Sequence, residues 1–113
     1  MMGKISFSIS SMTNDTVLMR FELKEIISPE DLLDINPPGI IVNGFSGKGI
    51  ILSGRGPVWL YGFLIHFYHP TKYVAVHDPR LNGAVVVESH TLEVKVGDVI
   101  EMPDYIINKK ASQ

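Results

Sequence analysis

The sequence predicts a two-layer α/β sandwich, a single β-sheet with two helices on one face. The order of signals carries this expectation: strand, strand, helix, strand, helix, strand, strand, with a helix enclosed between strands twice. No segment repeats at a fixed period, and no linker separates two halves. A chain of 113 residues, 45% hydrophobic and 19% charged, has apolar material for one folded core but not two. Residues 1–113 are therefore expected to form a single domain.

Ile5, Phe7 and Ile9 alternate with Lys4, Ser6, Ser8 and Ser10, the period-two pattern of a half-buried strand. Thr13-Asn14-Asp15 is turn chemistry and residues 16–23 read as a second strand, so the two form a hairpin. Ser28-Pro29-Glu30-Asp31 supplies a cap, a proline at the first helical position and acids near the positive end of a helix dipole. Leu32, Leu33 and Ile35 then predict a helix of about two turns, ended by Asn36-Pro37-Pro38. Residues 39–49 hold four glycines around Ile40-Ile41-Val42. Gly47-Lys48 does not make a phosphate-binding loop. Position 42 is valine where that motif requires glycine, and neither serine nor threonine follows the lysine.

Residues 50–52 form a short buried strand, and Ser53-Gly54-Arg55-Gly56 turns it into a central helix opened by Pro57 and closed by His69-Pro70. Residues 72–77 and 84–88 predict two more strands, joined across residues 79–83. Residues 94–100 contain another strand signal, broken at Gly97-Asp98, and the residues after Met102 read as a polar tail.

A formal net charge of −2 excludes bulk electrostatic capture of long nucleic acid as the main mode of binding. It leaves room for a local basic pocket that takes a small anion. The absence of cysteine excludes disulfides and cysteine-ligated zinc, and fits a reducing interior. Met1-Met2-Gly3-Lys4 runs into serines and threonines without an apolar core, so no signal peptide is visible. The longest apolar run, residues 58–65, is far short of the roughly 20 residues that cross a bilayer. A soluble cytoplasmic protein with no membrane contact is the expectation.

The chemistry concentrates in residues 53–80, which hold three of the four histidines, the only tryptophan and two arginines. Spacing by threes and fours puts Trp59, Gly62, His66 and His69 along one face of the central helix. It leaves Val58, Tyr61, Ile65 and Tyr68 to pack on the sheet. His66 and His69, at i and i+3, project into one space. By itself such a pair is a weak metal signal, and a structural or interface pair has the same spacing. Asp78 ends the following strand and is a candidate third ligand. Helix–turn–strand geometry does not require it to meet His69 within one chain, so a second subunit is the alternative source. Two nitrogens and a carboxylate oxygen suit manganese or another divalent ion that keeps positions open for water and phosphate oxygens.

In the turn formed by Ser53, Gly54, Arg55, Gly56 and Pro57, the glycines permit close backbone approach to a ligand. The helix start offers free amides to an anion, and the Arg55 guanidinium adds a planar phosphate fork. A tight turn with a solvated arginine is the competing reading. Arg80, in Asp78-Pro79-Arg80, is likewise either an anion contact or half of an internal ion pair. His77 alternates with Tyr73 and Ala75 and falls on the sheet face opposite Asp78. His90, at a strand end, reads as structural or supporting. Trp59 either stacks on a base or packs in the core or an interface.

Five blocks of this chain, in order, resemble a known family. They are Gly54-Arg55-Gly56-Pro57-Val58-Trp59-Leu60-Tyr61, His66-Phe67-Tyr68-His69-Pro70, Val74-Ala75-Val76, Asp78-Pro79-Arg80-Leu81 and Gly83-Ala84-Val85-Val86-Val87. They look like the CRISPR-associated Csx-three family, small proteins of type III systems described both as manganese-dependent RNA deadenylases and as ring nucleases. The resemblance implies a ferredoxin-like fold and homodimers that assemble into tetramers or stacks around a bound ligand. It implies cleavage of cyclic tetra-adenylate, the second messenger of type III defence. His69 and Asp78 match positions tied to metal-dependent cleavage, with Mn2+ as the implied ion and His66 as a catalytic neighbour. Arg80 and the Arg55 turn match positions around the ligand. Tyr73, His77 and Asn82 depart from the family pattern. Two alternatives stay open: a 3′-exoribonuclease acting on poly(A) ends of RNA, and a non-catalytic binder of the messenger.

Overall fold

A computed structural model describes residues 3–103. β1 (Ile5–Thr13) and β2 (Thr16–Leu23) form the expected antiparallel hairpin, with Thr13 opposite Thr16. The Thr13 hydroxyl accepts a hydrogen bond from the Asp15 amide at 3.1 Å, a local bond that favours a tight reversal. β3 (Gly49–Ser53) and β4 (Tyr73–Asp78) run parallel to β2, and β5 (Gly83–Ser89) and β6 (Val99–Glu101) add antiparallel to β4. The six strands lie side by side in chain order. One α-helix, α1 (Val58–Tyr68), crosses over between the parallel strands β3 and β4.

This mixed sheet differs from the ferredoxin-like sandwich with two helices on one face. The segment that begins at Ser28 forms a 3-10 helix, Pro29–Asp34, with no buried residue. Its capping chemistry is as expected: the Ser28 amide donates to the Asp31 carboxylate at 2.7 Å. Six residues stopped by Pro37-Pro38 are too few to propagate an α-helix, whose first turn is costly to nucleate. The strand expected over residues 94–100 is confined to β6, because Gly97 turns the chain at φ +99°. The expected polar tail beyond Met102 lies, from residue 104 onward, outside the described residues.

Alternation along the strands divides the buried residues of this one domain into a cluster on each sheet face. Val17, Met19, Phe21, Ile50, Leu52 and Val74 face α1 and bury its Leu60, Leu64 and Tyr68 completely. Leu18, Ile51, Tyr73, Ala75, Ala84, Val86 and Met102 form the core on the other face. Central β3 is buried on both faces, which is why residues 50–52 read as an uninterrupted apolar run. The helix stripe on the sheet is 60, 64 and 68, not the expected 58, 61, 65 and 68; Val58 is 85% exposed. α1 is apolar almost all round, so periodicity alone could not choose between neighbouring stripes.

Two ties fix the amino ends of the central strands. The Tyr68 hydroxyl donates to the Pro38 carbonyl at 2.7 Å, anchoring the long loop after the 3-10 helix; burial pushes the Tyr68 phenol pKa up. The Tyr73 ring lies over Gly49, its neighbour in register, and its hydroxyl shares a buried 2.6 Å hydrogen bond with that of Thr16.

Candidate functional site

The topology gives the sheet two chemically different ends. β2, β3 and β4 are parallel and α1 runs back between β3 and β4, so the carboxyl ends of the strands gather Ser53, residues 54–57, Asp78 and Arg80. The opposite end receives the last turn of α1, with His66 and the helix-capping His69. Five residue steps separate Tyr73 from Asp78, about 16 Å of extended strand. His69 and Asp78 therefore stand at opposite ends of the sheet. Among the described residues no group of three or more His, Cys, Asp or Glu side chains is placed to hold a metal ion.

At the carboxyl end, Asp78 caps the 3-10 turn Pro79–Leu81, accepting the Arg80 amide at 3.0 Å. The Arg80 guanidinium bonds the same carboxylate at 3.4 Å, yet its side chain remains 90% exposed. These Arg80 side-chain and amide hydrogen bonds hold the Asp78 carboxyl below its ordinary pKa. The interaction is complete above the ordinary carboxylate range and is lost only as pH falls through the lowered value. Asp78 is thus a carboxylate at neutral pH.

Arg55 projects into solvent from a turn that is firmly built. A Cβ on Gly54 would lie 2.5 Å from the Phe21 carbonyl oxygen and 2.8 Å from its ring. The glycine is thus required by packing on β2, whatever ligand approaches. The Tyr61 hydroxyl donates to the Gly54 carbonyl, and the Tyr61 ring meets Phe21 edge-on at 5.2 Å. Burial pushes the Tyr61 phenol pKa up, so it stays a donor. Ser53, nearly sealed from solvent, turns away from the exposed face and hydrogen-bonds His77.

At the other end, the exposed rings of His66 and His69 stack 5.5 Å apart, as their spacing predicts. His69 Nδ1 lies 2.9 Å from the His66 carbonyl oxygen. Gly62, one turn earlier, is open: a Cβ there would meet nothing within 4 Å. Trp59 is half-buried against the α1 core.

Two residues gain importance that sequence reasoning did not give them. The His90 ring lies 6.4 Å from that of His69 and is bonded by Glu88 at 2.8 Å, which makes a cluster of three histidines. Strand pairing was the available signal, because a hairpin across residues 79–83 returns the end of β5 to the start of β4. Arg20 pairs in register with Ser53, placing a third arginine at the carboxyl end. Only knowledge that β2 is parallel to β3 could reveal that.

Fold and site together define a mixed α/β protein with arginines at the carboxyl ends of its parallel strands, where open α/β sheets receive ligands, and histidines at the other end. The sequence profile described as CRISPR-associated protein (Cas_csx3) matches residues 20–101, and the chain belongs to that family. An uncharacterised protein of Aquifex aeolicus (strain VF5) is 59% identical over 97 residues, covering 86% of this chain and 87% of its own.

Proposed function

We propose that this protein is a ring nuclease that opens cyclic tetra-adenylate. The observation that carries the reading is the Arg55 turn and Arg80 at the carboxyl ends of adjacent parallel strands, in a member of a CRISPR-associated family. A net charge of −2 disfavours long RNA, whereas a few exposed arginines suit a small cyclic tetra-anion. Arg55 and Arg80 would each fork onto a phosphate. The histidines supply groups that accept and return a proton at the attacking and leaving oxygens of a phosphodiester.

Because arginine and histidine ends lie on opposite sides of one chain, one ligand meets both only between two chains. Arginines of one copy and histidines of another would enclose it. The same separation bears on manganese. A single chain does not bring His69 and Asp78 together, so no step of the reaction is assigned to a metal. An ion bound by both would draw its ligands from two chains.

Incubation of labelled cyclic and linear tetra-adenylate, with manganese or with chelator, tests the reading. Opening of the ring supports it. Shortening of the linear oligomer alone would favour a 3′-exoribonuclease, and binding without cleavage a sensor. Arg55→Ala and Arg80→Ala should each weaken binding by roughly 1–3 kcal/mol, the range for a lost charge-assisted contact. Calorimetric titration checks this, and unchanged affinity in both variants returns the arginines to a solvated-turn role.

A further inference from the structure

We propose that His77, through its bond to Ser53, is a positioning residue for the Arg55 turn. The proposal rests on the anionic-ligand reading above and deepens it. Backbone pairing between β3 and β4 ends with Leu52 opposite Val76. One residue further on, Ser53 Oγ and His77 Nδ1 lie 2.9 Å apart on the face away from α1. Both residues are nearly sealed, at 2% and 7% exposure. Beyond them the chains part, β3 into the Arg55 turn and β4 into the turn of Asp78 and Arg80. The side-chain bond therefore continues strand pairing at the point where backbone pairing stops.

Its place in the wall explains what it does. Tyr61 holds the Gly54 carbonyl from the α1 side, and Phe21 packs against Gly54 from β2. Neither contact refers to β4, which carries the other exposed arginine. Ser53–His77 is a side-chain link between the ends of β3 and β4, from which the two arginine-bearing turns depart. A buried hydrogen bond in a low-dielectric setting is stiff, and it sets how far apart Arg55 and Arg80 present themselves to a two-phosphate target. Displacing a contact group by about 1 Å can cost a hundredfold in a positioned reaction, so a modest shift is readable.

The test is a set of affinity measurements with cyclic tetra-adenylate, paired with hydrogen exchange on the protein alone. Ser53→Ala and His77→Leu should each weaken binding about tenfold. His77→Asn, whose amide reaches where Nδ1 lies, should restore most of it; His77→Gln, whose amide reaches where Nε2 lies, should not. In an Arg55→Ala background, Ser53→Ala should change affinity less than about twofold, because no guanidinium is left to place. Amides of residues 54–56 should exchange faster in Ser53→Ala than in the native protein. Fully additive effects in the Arg55→Ala background, or unaltered exchange at residues 54–56, overturn the proposal. Native protein that binds no cyclic tetra-adenylate defeats the functional reading instead, and the exchange comparison then decides the positioning role by itself.

Discussion

Replacing His69 with alanine, or Asp78 with asparagine, should lower ring opening of cyclic tetra-adenylate at least about a hundredfold while leaving its affinity within about threefold. His69 caps α1 and is exposed, so its loss leaves the packing of the helix intact. Asparagine is the sharper change at position 78, because its side-chain oxygen can still accept the Arg80 amide and keep the turn, while the negative charge is gone. Alanine there would also release Arg80 and confuse binding with catalysis. The arginines proposed to bind phosphate are untouched in both variants. Rapid-quench cleavage and calorimetry on the same preparations check the prediction. Near-native turnover in either variant removes that residue from the reaction.

The second large effect concerns folding. Gly49→Ala should destabilise the protein by about 3–5 kcal/mol, a large part of the total for a domain this size. An added Cβ would sit 2.0 Å from the Tyr73 ring, which is buried and tied through its hydroxyl to Thr16. The ring cannot swing aside without breaking that bond. Overpacking contributes roughly 1–3 kcal/mol and an orphaned buried hydroxyl about as much again. Gly62→Ala is the control: the position is open and helical, so alanine should stabilise by about 0.5–1 kcal/mol. Urea denaturation measures both. A loss below about 1 kcal/mol in Gly49→Ala would show that the ring has somewhere else to go.

Much of the fold was legible because local chemistry and final structure agree. Asn14-Asp15 closes the first hairpin, Pro57 and His69 bound the helix, and the apolar run at 50–52 is the doubly buried strand. The misreadings have physical causes. Residues 29–34 carry a proper cap but too little length, so capping chemistry overstated the helix. An apolar helix concealed which stripe meets the sheet, and the choice of 60, 64 and 68 was made by the cores of β2 and β3.

Of the site, local groupings could be read and long-range ones could not. His66 with His69, and Asp78 with Arg80, are neighbours by spacing and are neighbours in space. His90 beside His69, Arg20 beside Ser53, and the Ser53–His77 bond all depend on strand pairing and register. Parallel pairing of β2 with β3 is decided by tertiary packing, which leaves no local trace in sequence. The same topology explains why His69 and Asp78, nine positions apart, finish at opposite ends of the sheet.

The most direct measurement is therefore a mixing experiment with two inactive proteins, His69→Ala and Asp78→Asn, each folded and each still binding cyclic tetra-adenylate. If an active site takes histidines from one copy and the carboxylate end from another, a mixed pair holds one site with both groups intact. Random exchange of subunits in an equal mixture should then restore about a quarter of native activity, since half the pairs are mixed and each has one working site of two. Ring opening at that level, rising with time allowed for exchange, is the result predicted here. A mixture as inactive as its components, with subunit exchange verified by mass, would contradict a site shared between chains.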